Sequence, residues 1–165
     1  MSQEPSEIEA YKLREKIYDD LAKSIGRASM VWNDVQSEVF FLFKKLSKMD
    51  LSSAEAVFFA VKTDASQREM TAALAKIELK DDPNNLDRVL NNLKEAGNLA
   101  AQRNVAIHTA WLVGEDYMPR LYGRLTRPKA LRDDAENQFK ELHDVLVSLF
   151  LKFSSLRKEM FPDGI

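Results

Sequence analysis

Arg103, Asn104 and His108 read as R-N-x-x-x-H inside the segment Gln102–Trp111, QRNVAIHTAW, which carries one of the two histidines in the chain. No other stretch brings together so many side chains able to do chemistry. An imidazole titrates near neutrality, so His108 can take a proton from a hydroxyl or return one to a leaving oxygen. Arg103 is always charged and forked, which suits a phosphate and the charge that grows on it in a transition state. Asn104 brings an amide able to hold either the imidazole or the phosphate. On a helix, Asn104 and His108 lie four apart and share a face, while Arg103 and His108 lie five apart and diverge by about 140°. One copy therefore converges poorly on a straight helix. Two copies meeting across a twofold axis would line one cleft. A plainer reading has Arg103 in a salt bridge, with Glu95 or Glu115 as partner, and His108 as a satisfied core residue.

The elements that must position this group all read as helical. Ser6 and Glu9 have capping-box spacing and open a first helix to about Ile25, with Ile8, Tyr11, Tyr18, Leu21 and Ile25 on or near one face. Gly26 is expected to break the chain before a second helix, about Arg27 to Met49. Ser52 and Glu55 predict a short helix over 53–61. Ser66 and Glu69 predict another to about Leu79. After Asp81-Asp82-Pro83-Asn84 comes a long central helix, about Asn84 to Val113. Its apolar stripe runs through Leu86, Leu90, Leu93, Gly97, Ala100, Asn104, Ile107 and Trp111. The small pair Gly97 and Ala100 would admit a close neighbour. Residues 114–128 read as an extended loop or a short hairpin, because Gly114, Pro119, Gly123 and Pro128 punctuate them. A last helix begins near Pro128 or Asp134 and reaches Met160, burying Phe139, Leu142, Leu146, Leu149, Phe150, Phe153 and Leu156.

The expected fold is a single all-α domain over 1–165, an up-down bundle of about five to six helices. The second and last helices are apolar on more than one face, more than one small core readily absorbs, and this predicts a homodimer with a helical interface.

An Arg-Asn pair followed by His, late in a long helix of a small all-α bundle, resembles the HEPN superfamily. The resemblance extends over most of the chain through the helical order, a hairpin of helices before the motif and a closing helix after it. Many members have glycine just after the histidine, where this chain has Thr109. The resemblance implies dimerisation through the motif helices and, in catalytic members, metal-independent cleavage of RNA with no cofactor. Arg103, Asn104 and His108 would be the catalytic group. It further implies a toxin-type or defence role and an antitoxin-like protein partner. Other members are non-catalytic interaction or nucleotide-binding modules, and that reading stands as the alternative.

A second feature follows the motif. Arg120, Tyr122, Arg124, Arg127 and Lys129 lie in a stretch without acidic residues. Cations mixed with aromatics suit single-stranded nucleic acid, whose phosphates meet charge while its bases stack on rings. Glu115-Asp116 and Asp133-Asp134 flank the stretch, so an ordinary solvated loop is the competing reading.

Bulk properties exclude other classes. With 24 basic and 26 acidic residues the net charge is −2, and no global positive field draws in nucleic acid. There are no cysteines, so disulfide frameworks, thiol nucleophiles and cysteine zinc sites are ruled out. Apolar runs such as Val39–Phe43 are too short to cross a bilayer. The polar N-terminus lacks a secretion-signal pattern. A soluble, cytoplasmic protein is expected. Glu141-Leu142-His143 lacks the helical spacing that would aim both ionisable side chains at one metal, which leaves His143 at the surface or an interface.

Overall fold

The computed structural model describes residues 6–108, 110–113, 119–122 and 135–162. Those residues form an all-α bundle of α1 (Glu7–Ser47), α2 (Leu51–Ala60), α3 (Asp64–Glu78), α4 (Pro83–His108) and α5 (Ala135–Met160). A ribbon of β1 (Ala110–Val113) and β2 (Pro119–Tyr122) lies between α4 and α5 in sequence. The two strands are antiparallel, with Ala110 opposite Tyr122 and Val113 opposite Pro119.

The 41-residue α1 is the axis of the bundle and touches each of the other four helices. Ser6 and Glu9 form the expected capping box, the Ser6 amide donating to the Glu9 carboxylate at 2.9 Å. The expected break at Gly26 does not occur. A glycine within a helix costs only about 1 kcal/mol relative to alanine. Burial of Leu21, Ala28 and Trp32 on either side outweighs that and carries the helix through. Ahead of Leu21 the helix is less well covered. Ile8, Tyr11, Leu13 and Tyr18 are all exposed.

Two of the three expected caps lie elsewhere. Asp50 caps α2 by accepting the Ser53 amide at 3.0 Å, and Thr63 caps α3 by accepting the Ser66 amide at 3.2 Å. Ser52 and Ser66 sit inside the helices they were expected to open. Side-chain oxygens upstream reach the free amides first, so each helix starts earlier. Asp82 serves α4 in the same way, accepting from the Asn85 amide at 3.1 Å, with Pro83 at the first helical position.

α1 and α5 make the most extensive interface. Val35, Val39, Leu42 and Phe43 of α1 and Leu146, Leu149, Phe153 and Leu156 of α5 are all nearly inaccessible. A partly buried ion pair ties the same two helices. Arg157 donates through Nε and Nη2 to both oxygens of Glu38, at 2.7 and 3.1 Å. This forked contact raises the Arg157 pKa above its ordinary value. The apolar surplus that predicted a dimer is thus largely covered within one chain.

The motif helix departs from expectation at its C-terminal end. α4 stops at His108, and Ala110–Val113 continue as β1. The sequence AWLV is rich in the aromatic and branched residues that favour a strand. The buried stripe keeps Leu93 and Ala100 of the expected one but is turned partly away from the rest of it. It passes through Val89, Asn92, Leu93, Ala96, Leu99 and Ala100, leaving Asn104 exposed and Gly97 half-buried. The reason is that α4 packs on α5, α3 and α1 together, so the centre of its covered face falls on Ala96 rather than Gly97.

Candidate functional site

The rotation of that stripe determines what Arg103 does. Val89 and Ala96 are fully buried, and one further step of seven residues along the same face reaches Arg103. A guanidinium therefore terminates a stripe that is otherwise mostly apolar. Arg103 is half-buried and donates from Nη1 to Asn104 Oδ1 at 3.0 Å. Its Nε is buried with no hydrogen-bonding partner among the described residues. Glu95, one of the carboxylates the plainer reading would assign to it, is taken by Lys152, whose Nζ donates to both Glu95 oxygens at 2.9 and 2.8 Å. No salt bridge to Arg103 occurs among the described residues, and Glu115, the other expected partner, lies outside them.

Arg103 lies on the wall of a cavity of about 720 Å³, within the ~300–1,000 Å³ range of small-molecule sites. α1 contributes Trp32 and Gln36, α2 contributes Phe58 and Phe59, and α3 contributes Asp64 and Gln67. Rings dominate one side. Phe40, Phe58 and Phe59 have centroids 5.3 to 5.4 Å apart, and Phe41 stands 5.5 Å from Phe40. Phe58 is fully buried, whereas Phe59 stays 63% exposed at the rim.

The polar side chains of the wall divide into two groups. Trp32 Nε1 donates to Asp64 Oδ2 at 3.2 Å. Gln67 Nε2 donates to the Phe58 and Val61 carbonyls at 3.2 and 3.0 Å, closing the C-terminal end of α2. These groups are satisfied and hold the wall in shape. Gln36 is different. Both its amide nitrogen and its amide oxygen are shielded from solvent without a partner among the described residues. Leaving such a group unmet costs about 1–3 kcal/mol. Gln36 and the Arg103 Nε are thus two unmet polar groups on one cavity.

A neighbouring arginine is held in a comparable state. Arg68 lies against Gly97, its Nε 3.8 Å from where a Cβ would stand, and its Nη1 has no partner among the described residues. Burial lowers its pKa, and the charges of Asp64 and Glu69 act against that shift. The room beside Gly97 is therefore taken by a side chain of α3.

Of the expected motif, Arg103 and Asn104 are brought together, but as donor and acceptor to each other. His108 is the last residue of α4, and its side chain lies outside the described residues. Arg120 and Tyr122 are on β2, opposite Leu112 and Ala110. Arg124, Arg127 and Lys129 lie outside the described residues. His143 is paired with Asp144 at 3.0 Å on α5. The cavity residues of α1 to α3 were not read from sequence as a site. Gln36 carried a signal all the same. It is a lone amide within the run Trp32, Val35, Val39, Phe40 and Phe43, at helical spacing that should be apolar throughout.

No protein-family model, no curated protein and no solved structure matches this chain.

Proposed function

We propose that this protein is a HEPN-like RNA-binding domain and a metal-independent endoribonuclease, acting as a homodimer. The observation that supports the reading is the state of Arg103. Its guanidinium sits at the end of the α4 stripe beside a cavity, without a carboxylate partner among the described residues. Arg88, Lys152 and Arg157 each hold a glutamate from another helix. Arg68 has no salt bridge among the described residues either, but unlike Arg103 it does not line the cavity.

In this reading Arg103 binds the scissile phosphate by a forked contact and offsets the charge that grows on it. Asn104 positions the guanidinium through its Oδ1. His108 takes the proton from the ribose 2′-hydroxyl, whose oxygen attacks the phosphorus. The P–O5′ bond breaks, the imidazolium returns the proton to the leaving 5′-oxygen, and the products are a 2′,3′-cyclic phosphate and a 5′-hydroxyl. DNA lacks that hydroxyl and would bind without being cut. The second copy brings its own Arg103 and His108 to the same cleft, which answers the divergence of the two side chains on one helix.

Purified protein incubated with labelled single-stranded RNA in EDTA should cleave it. His108→Ala should slow cleavage by about 10²-fold or more, and Arg103→Ala comparably. If RNA stays intact, or both variants cut as the wild type does, the nuclease reading falls. RNA bound but uncut would favour a binding module, because Arg103 would still serve a phosphate.

A further inference from the structure

We propose that the open cavity lined by α1, α2, α3 and Arg103 is the subsite for one unstacked nucleotide of the RNA, with Gln36 reading its base. The inference rests on the nuclease reading only in taking Arg103 as a phosphate ligand. It adds a base-recognition site on helices away from the motif.

Three features of the wall fit one ligand class. The phenylalanine side, with Phe41 and the exposed Phe59 at hand, offers apolar ring surface to a planar base. Gln36 supplies one donor and one acceptor on one planar group, the complement of a base edge that carries one of each. The Arg103 Nε, buried and unmet beside the cavity, supplies the charge for the phosphate of the same nucleotide. Gln36 already lines the cavity, and reading a base requires its shielded amide to turn toward the ligand. The base edge would then satisfy both atoms at once. A purely apolar ligand would leave Gln36 and Arg103 unmet, and a bare anion would leave the rings and the amide unused. A duplex is also a poor fit, since its paired bases hide the edge that Gln36 would read.

The test is a titration of the full chain with the four ribonucleoside 5′-monophosphates, and with ribose 5-phosphate as the base-free arm. Binding is followed by NMR at the Gln36 side-chain amide and the Trp32 indole N–H. At least one nucleotide should bind about 10-fold tighter than ribose 5-phosphate, the gain expected from one stacked base. The four nucleotides should differ among themselves by about 5-fold or more. Gln36→Leu should fold and lose that discrimination, and the near-isosteric Gln36→Glu should reorder it. Arg103→Ala should weaken all five probes alike. Equal binding of ribose 5-phosphate and nucleotides would overturn the proposal. So would silence of both signals at millimolar ligand, or an unchanged base order in the two Gln36 variants. RNA cleavage in EDTA together with silent nucleotides would sink the subsite and leave the nuclease standing. Base-selective nucleotide binding with intact RNA would do the reverse.

Discussion

Two glutamines on the same cavity wall have opposite relations to their surroundings, and they predict opposite effects of the same substitution. Gln67 satisfies two carbonyls at the end of α2, so Gln67→Leu should lower unfolding free energy by about 1–3 kcal/mol. Gln36 satisfies nothing among the described residues, so Gln36→Leu should leave stability unchanged or raise it by about 1 kcal/mol. Urea denaturation of the two variants side by side reads the difference, and equal losses would contradict the assignment. The two helical glycines also separate. A Cβ on Gly26 meets nothing within 4 Å, so Gly26→Ala should stabilise by about 0.5–1 kcal/mol. At Gly97 the new methyl would touch Arg68 at ordinary contact distance, so Gly97→Ala should also be tolerated. The sequence showed which residues could do chemistry at the motif, because residue type carries charge and titration directly. It did not show that Arg103 rather than Asn104 ends the buried stripe. Leu86 and Leu90 pull a one-dimensional count toward Asn104, and only packing against three helices sets the true centre.

At the scale of elements, helices were legible from apolar period and their ends were less so. Six of the seven residues expected in the core of the last helix, Phe139, Leu142, Leu146, Leu149, Phe153 and Leu156, are buried, and Phe150 is half-buried against them. The caps of α2 and α3 were misplaced because Ser-x-x-Glu also occurs by chance one turn inside a helix, while Asp50 and Thr63 stand just upstream. These caps give a pH prediction. The Ser53 side chain, followed by its backbone amide, holds the Asp50 carboxyl below its usual range, and the Ser6 amide does so for Glu9. A carboxylate whose folded pKa is lowered stabilises above its unfolded pKa, and that support is lost as pH falls through the folded value. The starts of α1 and α2 should therefore fray below the ordinary carboxylate range of about 4. Amide exchange at residues 7–9 and 51–53 between pH 5 and pH 2 checks this. The tie between α1 and α5 predicts a larger effect. Glu38→Gln leaves the partly buried Arg157 guanidinium without its counter-charge, with an expected loss of about 1–3 kcal/mol. Replacing both residues by Met should recover most of it.

For the whole molecule, the bundle was legible and its partners were not. The expectation of a dimer from apolar surplus assumed that two strongly apolar helices could not both be buried in one chain. They bury much of each other, and what stays exposed is spread over the molecule: Ile8, Tyr11 and Met30 on α1, Leu51, Val57 and Phe59 on α2, and Val145 and Leu151 on α5. Light scattering should give twice the chain mass if the proposed shared cleft exists, and a single-chain mass at working concentration would remove it. With a net charge of −2, RNA affinity must come from a local patch. Replacing Arg124, Arg127 and Lys129 by alanine should flatten the dependence of log affinity on log salt by about 0.7 for each phosphate no longer neutralised.

The Glu38–Arg157 pair also has a consequence for the chain as it is made, because 119 residues separate its two members. At the usual rates of synthesis, about 5–20 residues per second, α1 would leave the ribosome roughly 6–24 s before its principal cover. During that interval the side of α1 that α5 covers faces water or a chaperone, and Glu38 has no guanidinium to meet. The nascent chain should therefore be most open to protease and to holdase capture until α5 emerges. Pulse-chase digestion of stalled chains ending before and after residue 160 would show it as an abrupt gain in resistance.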